Sequence, residues 1–125
     1  MVAGLGTDII EIARIAQSID RYGERFLQRI FTAGEIAYCQ RKKSAAESFA
    51  ARFAAKEAAA KALGTGISRG VSWLEIEVTR APGGRPLLAL SGRAAERARE
   101  LRVVKLSLSL THTREIAMAV VVVEA

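Results

Sequence analysis

The sequence predicts an α+β fold, a largely antiparallel sheet with a long helix packed on it. Three observations predict it. Residues 52–64, Arg-Phe-Ala-Ala-Lys-Glu-Ala-Ala-Ala-Lys-Ala-Leu-Gly, consist almost wholly of strong helix formers. Residues 74–79 and 105–112 instead alternate apolar and polar side chains, the period of a half-buried strand. Each of these runs is followed by a turn signal and a second apolar run, so each opens an antiparallel hairpin. At 125 residues the chain has the length of one domain, residues 1–125.

Taken in order, residues 2–6 are short, apolar and punctuated by glycine, and read as a first strand. Asp8-Ile-Ile-Glu11 matches a capping box and opens a helix over residues 9–20, with Ile9, Ile12, Ile15, Ala16 and Ile19 as its apolar stripe. Gly23 breaks it, and a short second helix holds Phe26, Leu27 and Ile30. Thr32-Ala-Gly-Glu35 and Ser44-Ala-Ala-Glu47 repeat the capping-box pattern and start two more helices. The second of these runs on to Gly64, a suitable C-terminal cap. Leu74, Ile76 and Val78 then form the inner face of a strand. Gly83-Gly84 and Pro86 mark its turn, and residues 87–90 return. Residues 91–101 form an amphipathic helix with Ala94, Ala95, Ala98 and Leu101 inward. Leu106, Leu108, Leu110 and His112 share one face of the next strand. After Thr113-Arg-Glu115, residues 116–123 return as a nearly all-apolar strand, the pattern of burial on both faces.

Half of the chain is hydrophobic, enough for a core and too much for a disordered segment. No apolar run approaches the roughly 20 residues that span a bilayer. The N-terminus lacks the charged start and apolar stretch of a signal peptide, and Cys39 has no second thiol to pair with. These features point to the cytoplasm and to no membrane. The 19 Lys+Arg against 13 Asp+Glu give a net charge of +6, which favours a polyanionic partner: nucleic acid, a phosphorylated cofactor or an acidic protein. No aromatic platform or known motif interleaves with the basic residues, which argues against nucleic acid.

The chemistry-bearing residues centre on Glu57. It shares a helix face with Phe53, Ala60 and Gly64, and Phe49 extends that stripe, so a carboxylate stands on what should be the core-facing side. A cation, a metal or an oligomer interface has to compensate it. Lys61, four residues on, is its surface ion-pair partner in the plainest reading. Arg52, Lys56 and Lys61 together make a positive groove suited to phosphate. Asp8 is open to two readings, a helix N-cap or a metal ligand at a strand end. If Asp8 lies near Glu57, the two complete a hard-cation site of the kind Mg²⁺ takes together with substrate phosphates. Gly4-Leu-Gly6 lacks the third glycine of a dinucleotide fingerprint and the lysine of a P-loop, so it reads as room for a close backbone approach. His112 continues an apolar strand face and reads as a core or interface histidine unless it serves as a ligand or catalyst. Cys39 reads as a plain free thiol and Trp73 as packing. Arg14, Gln17 and Arg21 lie on the polar face of the first helix, with Arg25 and Arg29 beyond. That face is either ordinarily solvated or a dock for an acidic partner.

Three segments resemble a known family. Gly4-Leu-Gly-Thr-Asp-Ile-Ile-Glu-Ile-Ala-Arg-Ile15, residues 52–64 and Ser107-Leu-Ser-Leu-Thr-His-Thr113 are similar, in order and over the whole chain, to the holo-acyl-carrier-protein synthases, the small bacterial 4′-phosphopantetheinyl transferases. The resemblance implies transfer of 4′-phosphopantetheine from coenzyme A to a serine of apo-acyl carrier protein, with release of adenosine 3′,5′-bisphosphate, in fatty acid biosynthesis. It implies Asp8 and Glu57 as Mg²⁺ ligands and Lys61 as the lysine on the coenzyme A phosphates. By the same resemblance Arg52 and His112 are coenzyme A contacts, and Arg14 and Arg21 receive the acidic carrier protein. It further implies a homotrimer with its sites between subunits. Thr113 stands where some relatives carry an acid, so no role of that acid transfers. The rival readings are a small basic nucleic-acid-binding protein, a transferase serving polyketide or peptide synthases, and a non-catalytic scaffold. The second of these usually resembles two fused copies of the fold, and the chain has no internal repeat.

Overall fold

The structure, a computed structural model, describes residues 1–67 and 69–125. Among these residues five strands and five α-helices follow in the order β1 (Val2–Glu11), α1 (Ile12–Tyr22), α2 (Glu24–Ile30), α3 (Ala33–Gln40), α4 (Ala45–Ala62), β2 (Ile76–Arg80), β3 (Pro86–Leu90), α5 (Gly92–Glu100), β4 (Lys105–His112) and β5 (Ile116–Glu124). Pairing is antiparallel throughout these strands. β5 lies between β1 and β4 in one sheet, and β2 and β3 form a separate hairpin. The α+β class, the long helix on the sheet and both hairpins are as the sequence predicts.

The first strand is longer than expected, and the helix after it starts later. Asp8-Ile-Ile-Glu11 does not cap a helix. The ladder from Gly4↔Val123 to Glu11↔Ile116 runs straight through it, with Asp8 opposite Ala119. The backbone of Ile12 then donates to Glu115 O at 2.8 Å. Glu11 becomes the N-cap of α1 without a side-chain hydrogen bond. Pairing along most of the length of β5 outweighs one local cap worth about 1 kcal/mol.

The core lies between α4 and the inner face of the sheet. Ala54, Ala58, Ala59 and Ala62 of α4 meet Ala119, Val121 and Val123 of β5, all of them buried. Small side chains let the backbones close. On β1, a Cβ at Gly6 would overlap the Ala58 carbonyl, and one at Gly4 would overlap that of Ala62. The close approach expected for these glycines is therefore realised against α4. Gly6→Ala is expected to cost about 2 kcal/mol or more, because backbone cannot retreat as a side chain can. Chemical denaturation measures it, and a loss within a few tenths of that of a surface alanine would contradict this packing.

At its C-terminal end α4 closes as a Schellman motif. Gly64 has φ +76°, Thr65 N donates to Ala60 O at 3.0 Å, and Gly64 N donates to Lys61 O at 3.0 Å. The capping box at Thr32 forms as predicted. At Ser44 the helix begins as expected, but no side-chain cap bond is made.

Two strand expectations change. β5 is not buried on both faces. Ala117, Ala119, Val121 and Val123 are fully buried under α4, whereas Ile116, Met118, Val120 and Val122 point the other way and are only partly covered. Leu5 and Ile9 of β1 continue that open face and are 63% and 62% exposed. Its apolar content therefore reflects one core face and one open face. Leu74 falls in a 3₁₀ turn, Trp73–Glu75, which swings it outward instead of along β2.

A second core holds a buried ion pair. Lys56 Nζ lies 2.8 Å from Glu35 Oε1, with both side chains fully buried. Lys56 also donates to Trp73 O and Ile76 O, at 3.0 and 2.6 Å. Glu35 accepts from Thr32 N and Val78 N. The pair ties α3, α4 and the start of β2 together. Burial pushes the Lys56 ammonium below its ordinary range, with Glu35 opposing.

Candidate active site

The helix α4 presents its chemistry on more than one side. Contrary to the stripe reading, Phe53 and Glu57 lie on its less buried side, and the buried charges are Arg52 and Lys56. Lys56 is taken up by Glu35, so the expected groove of three cations does not form. The reason is compositional: an alanine-rich helix buried on most sides has almost no amphipathic phase to read.

One cluster joins β1 to the last turns of α4. The even positions of β1, Gly4, Gly6, Asp8 and Ile10, face α4, and the glycines bring Asp8 within reach of it. Lys61 Nζ donates to Asp8 Oδ1 and to Thr7 O, each at 3.0 Å. The Lys61 side chain is 51% exposed, that of Asp8 only 16%. Glu57 lies one turn before Lys61. Burial first, and the Asp8 charge second, push its carboxyl above the usual carboxylate range, while Lys61 pulls it back. Asp8, Glu57 and Lys61, singled out from sequence, are thus brought together.

Two partly buried carboxylates that repel one another, balanced by one half-exposed ammonium, fit a hard divalent cation. Among the described residues no third carboxylate, histidine or cysteine joins them. Phosphate oxygens and water are what such a site would need to complete it. Without metal, a raised carboxyl stabilises the fold below the ordinary carboxylate pKa. That contribution is lost as pH rises through the raised value. The melting temperature of metal-free protein should fall across that window, and Glu57→Gln should flatten the profile. An unchanged profile in the variant would contradict the raised carboxyl.

Arg52 and His112 meet on another side of α4. Both line a cleft of about 390 Å³ with Tyr38, Lys42, Lys43, Ser44, Glu47, Ser48, Ala51, Arg80 and Leu110. His112 is not a core histidine. Its side chain is 51% exposed, its Nδ1 3.6 Å from Glu47 Oε2. The β4–β5 turn carries it past the end of the covered sheet. Arg52 is buried, and its Nη1 donates to Ser48 Oγ at 3.1 Å. Its Nε is buried with no hydrogen-bond partner among the described residues. Arg80, Tyr38 and Lys42 were not singled out from sequence. They come from β2, α3 and the loop after it, and no single spacing links them.

Arg14 and Arg21 border a third groove, about 330 Å³, floored by Ile10, Ile15, Phe26 and Phe53. Phe53 stacks on Trp73 at 4.8 Å between ring centroids, the packing role expected of that tryptophan. Phe53 precedes Glu57 by one helical turn, so this groove approaches the Asp8–Glu57 cluster from the α1 side. Cys39 is buried and receives a hydrogen bond from Ser48 Oγ at 3.2 Å, and burial raises its thiol pKa.

Residues 4–121 match the family model described as the 4′-phosphopantetheinyl transferase superfamily. Over 124 residues the chain is 55% identical to the holo-[acyl-carrier-protein] synthase of Koribacter versatilis, covering 99% of each. The holo-[acyl-carrier-protein] synthase of Neisseria meningitidis has a similar structure, with a TM-score of 0.90 at 35% identity over 100% of both chains. That of Helicobacter pylori, solved in complex with coenzyme A, gives 0.85 at 38% identity over 96% of this chain and 99% of its own.

Proposed function

The chain belongs to the 4′-phosphopantetheinyl transferase superfamily, and from that premise we propose that residues 1–125 act as one holo-acyl-carrier-protein synthase domain. The substrate is coenzyme A. A serine hydroxyl of apo-acyl carrier protein attacks the β-phosphorus, the pyrophosphate bond breaks, and adenosine 3′,5′-bisphosphate leaves. The observation that carries the reading is the convergence of Asp8, Glu57 and Lys61 on one edge of α4.

Asp8 and Glu57 would hold Mg²⁺, and Mg²⁺ would neutralise the phosphate oxygens as charge builds on them. Lys61 pairs with Asp8 through a half-exposed side chain, so its ammonium can turn to a phosphate without unfolding anything. Arg52 and His112 hold the nucleotide end of coenzyme A in their cleft. Arg14 and Arg21 receive the acidic carrier protein, in a groove leading toward Glu57. Arg14→Glu is expected to raise the KM for carrier protein about tenfold with little change in kcat. An unchanged KM would remove α1 from the interface.

The same helix supports a homotrimer with shared sites. Arg52 and Lys61 are nine residues apart, hence about half a turn out of phase and about 14 Å apart along the axis. One coenzyme A touching both kinds of group is best held between two copies. The open apolar face around Leu5, Ile9 and Met118 gives those copies a surface to bury. Sedimentation should return three times the 13.5 kDa chain mass, and a monomer would end this part of the proposal. No helix among the described residues is long and apolar enough to cross a membrane, and we place the enzyme in the cytoplasm with its substrates.

Incubation with apo-acyl carrier protein, coenzyme A and Mg²⁺ tests the activity by intact mass. The carrier should gain one phosphopantetheine arm, and the gain should vanish with chelator. No gain, with a working synthase succeeding in parallel, rejects the activity.

A further inference from the structure

Within the Arg52 cleft one aromatic ring gathers three cations. The Arg52 guanidinium lies 4.2 Å from the centroid of the Tyr38 ring, the Lys42 ammonium 4.6 Å and the Arg80 guanidinium 5.0 Å. Each distance is within cation–π range. The three groups come from α4, the loop after α3, and the end of β2, and the Tyr38 ring touches all three. Like charges this close repel, and the ring's electron-rich face offsets that repulsion. Burial works to raise the phenol pKa, but the hydrogen bond to Lys42 and the charges of Arg80, Lys42 and Arg52 outweigh it, and the net direction is down.

The cluster is also unfinished. Arg52 is 2% exposed, yet its Nε has no partner among the described residues. A buried donor without an acceptor costs about 1–3 kcal/mol unless something arrives to meet it. The lining carries Lys42, Lys43, Arg52 and Arg80 against the single carboxylate Glu47. A phosphomonoester, doubly charged and rich in acceptors, matches that imbalance.

We propose that Tyr38 is a positioning residue, an aromatic post that preassembles Arg52, Arg80 and Lys42 to receive the phosphomonoester of coenzyme A. This rests on coenzyme A being the substrate. Tyr38 itself makes no contact with the reacting atoms. It sets where the guanidinium planes lie before the substrate arrives, so less ordering remains to be done on binding. The consequence is selective: Tyr38 acts on the KM for coenzyme A and hardly on kcat.

The test is a series at position 38: tyrosine, phenylalanine, 4-fluorophenylalanine, 3,4,5-trifluorophenylalanine and leucine. Fluorine drains the ring face while changing shape little, so folding is preserved along the fluorinated members. With coenzyme A, KM should rise slightly for phenylalanine, which loses the Lys42 hydrogen bond, climb stepwise with fluorination, and rise about tenfold for Tyr38→Leu. With dephospho-coenzyme A, which lacks the phosphomonoester, the series should be flat. A flat series with coenzyme A, or an equal rise with both substrates, overturns the role of Tyr38 while leaving the transferase activity standing. No transfer by the wild-type protein from either substrate overturns both.

Discussion

Asp8→Ala is expected to lower phosphopantetheine transfer by more than about a hundredfold and to leave the fold intact. The reason lies in how β1 carries the residue. Asp8 is held in register opposite Ala119 by backbone hydrogen bonds that its side chain does not share. The side chain makes one ion pair, with the half-exposed Lys61. Removing it costs little stability but takes away one of the two carboxylates proposed to hold Mg²⁺, and one carboxylate alone would not hold a doubly charged cation against its hydration shell. Asp8→Asn, which keeps the shape and loses the charge, should fail nearly as badly. Intact-mass assays with Mg²⁺ titrated over a wide range measure it, beside circular dichroism as a check on folding. Near-wild-type transfer by either variant would remove Asp8 from the site.

For stability the largest expected loss is at Lys56, whose neighbour Glu57 belongs to the proposed metal site. Lys56→Met should cost about 3–5 kcal/mol, because it strands the Glu35 carboxylate in the core without its cation. The backbone donors of Thr32 and Val78 soften that loss but cannot supply a charge. It would also free two carbonyls, Trp73 O and Ile76 O, from their shared donor. Urea denaturation reads the effect. A loss below about 1 kcal/mol would mean that water reaches the pair. Because this pair fixes α4 against α3 and the start of β2, a folded remnant should also misalign Glu57 and weaken the Mg²⁺ binding proposed for it.

The helices and both hairpins were legible because each carries a helix-forming composition, a period of its own or clear punctuation. β1 was misread where two local rules compete. Asp8-Ile-Ile-Glu11 is a sound capping box, and only the partner strand more than a hundred residues away decides against it. The helix α4 was misread in phase, since alanines on nearly every side leave nothing to distinguish core from rim. Lys56 and Glu57 are adjacent, and which of them goes inward depends on Glu35, a residue of another helix. In the candidate site, Asp8, Glu57 and Lys61 could be named from motif spacing and resemblance together. Tyr38 and Arg80 could not, because their meeting is a product of α3 and β2 docking beside α4.

The two faces of β1 carry separate instructions in alternate letters. Even positions, Gly4, Gly6 and Asp8, set the approach of α4 and aim a carboxylate. Odd positions, Leu5 and Ile9, lie on the opposite, open face. Substitutions on one set can therefore vary with little effect on the other, so the proposed contact between copies and the proposed metal site would be separately adjustable within one ten-residue strand. A one-residue slip of β1 against β5 has the opposite character, because it exchanges the two sets at once.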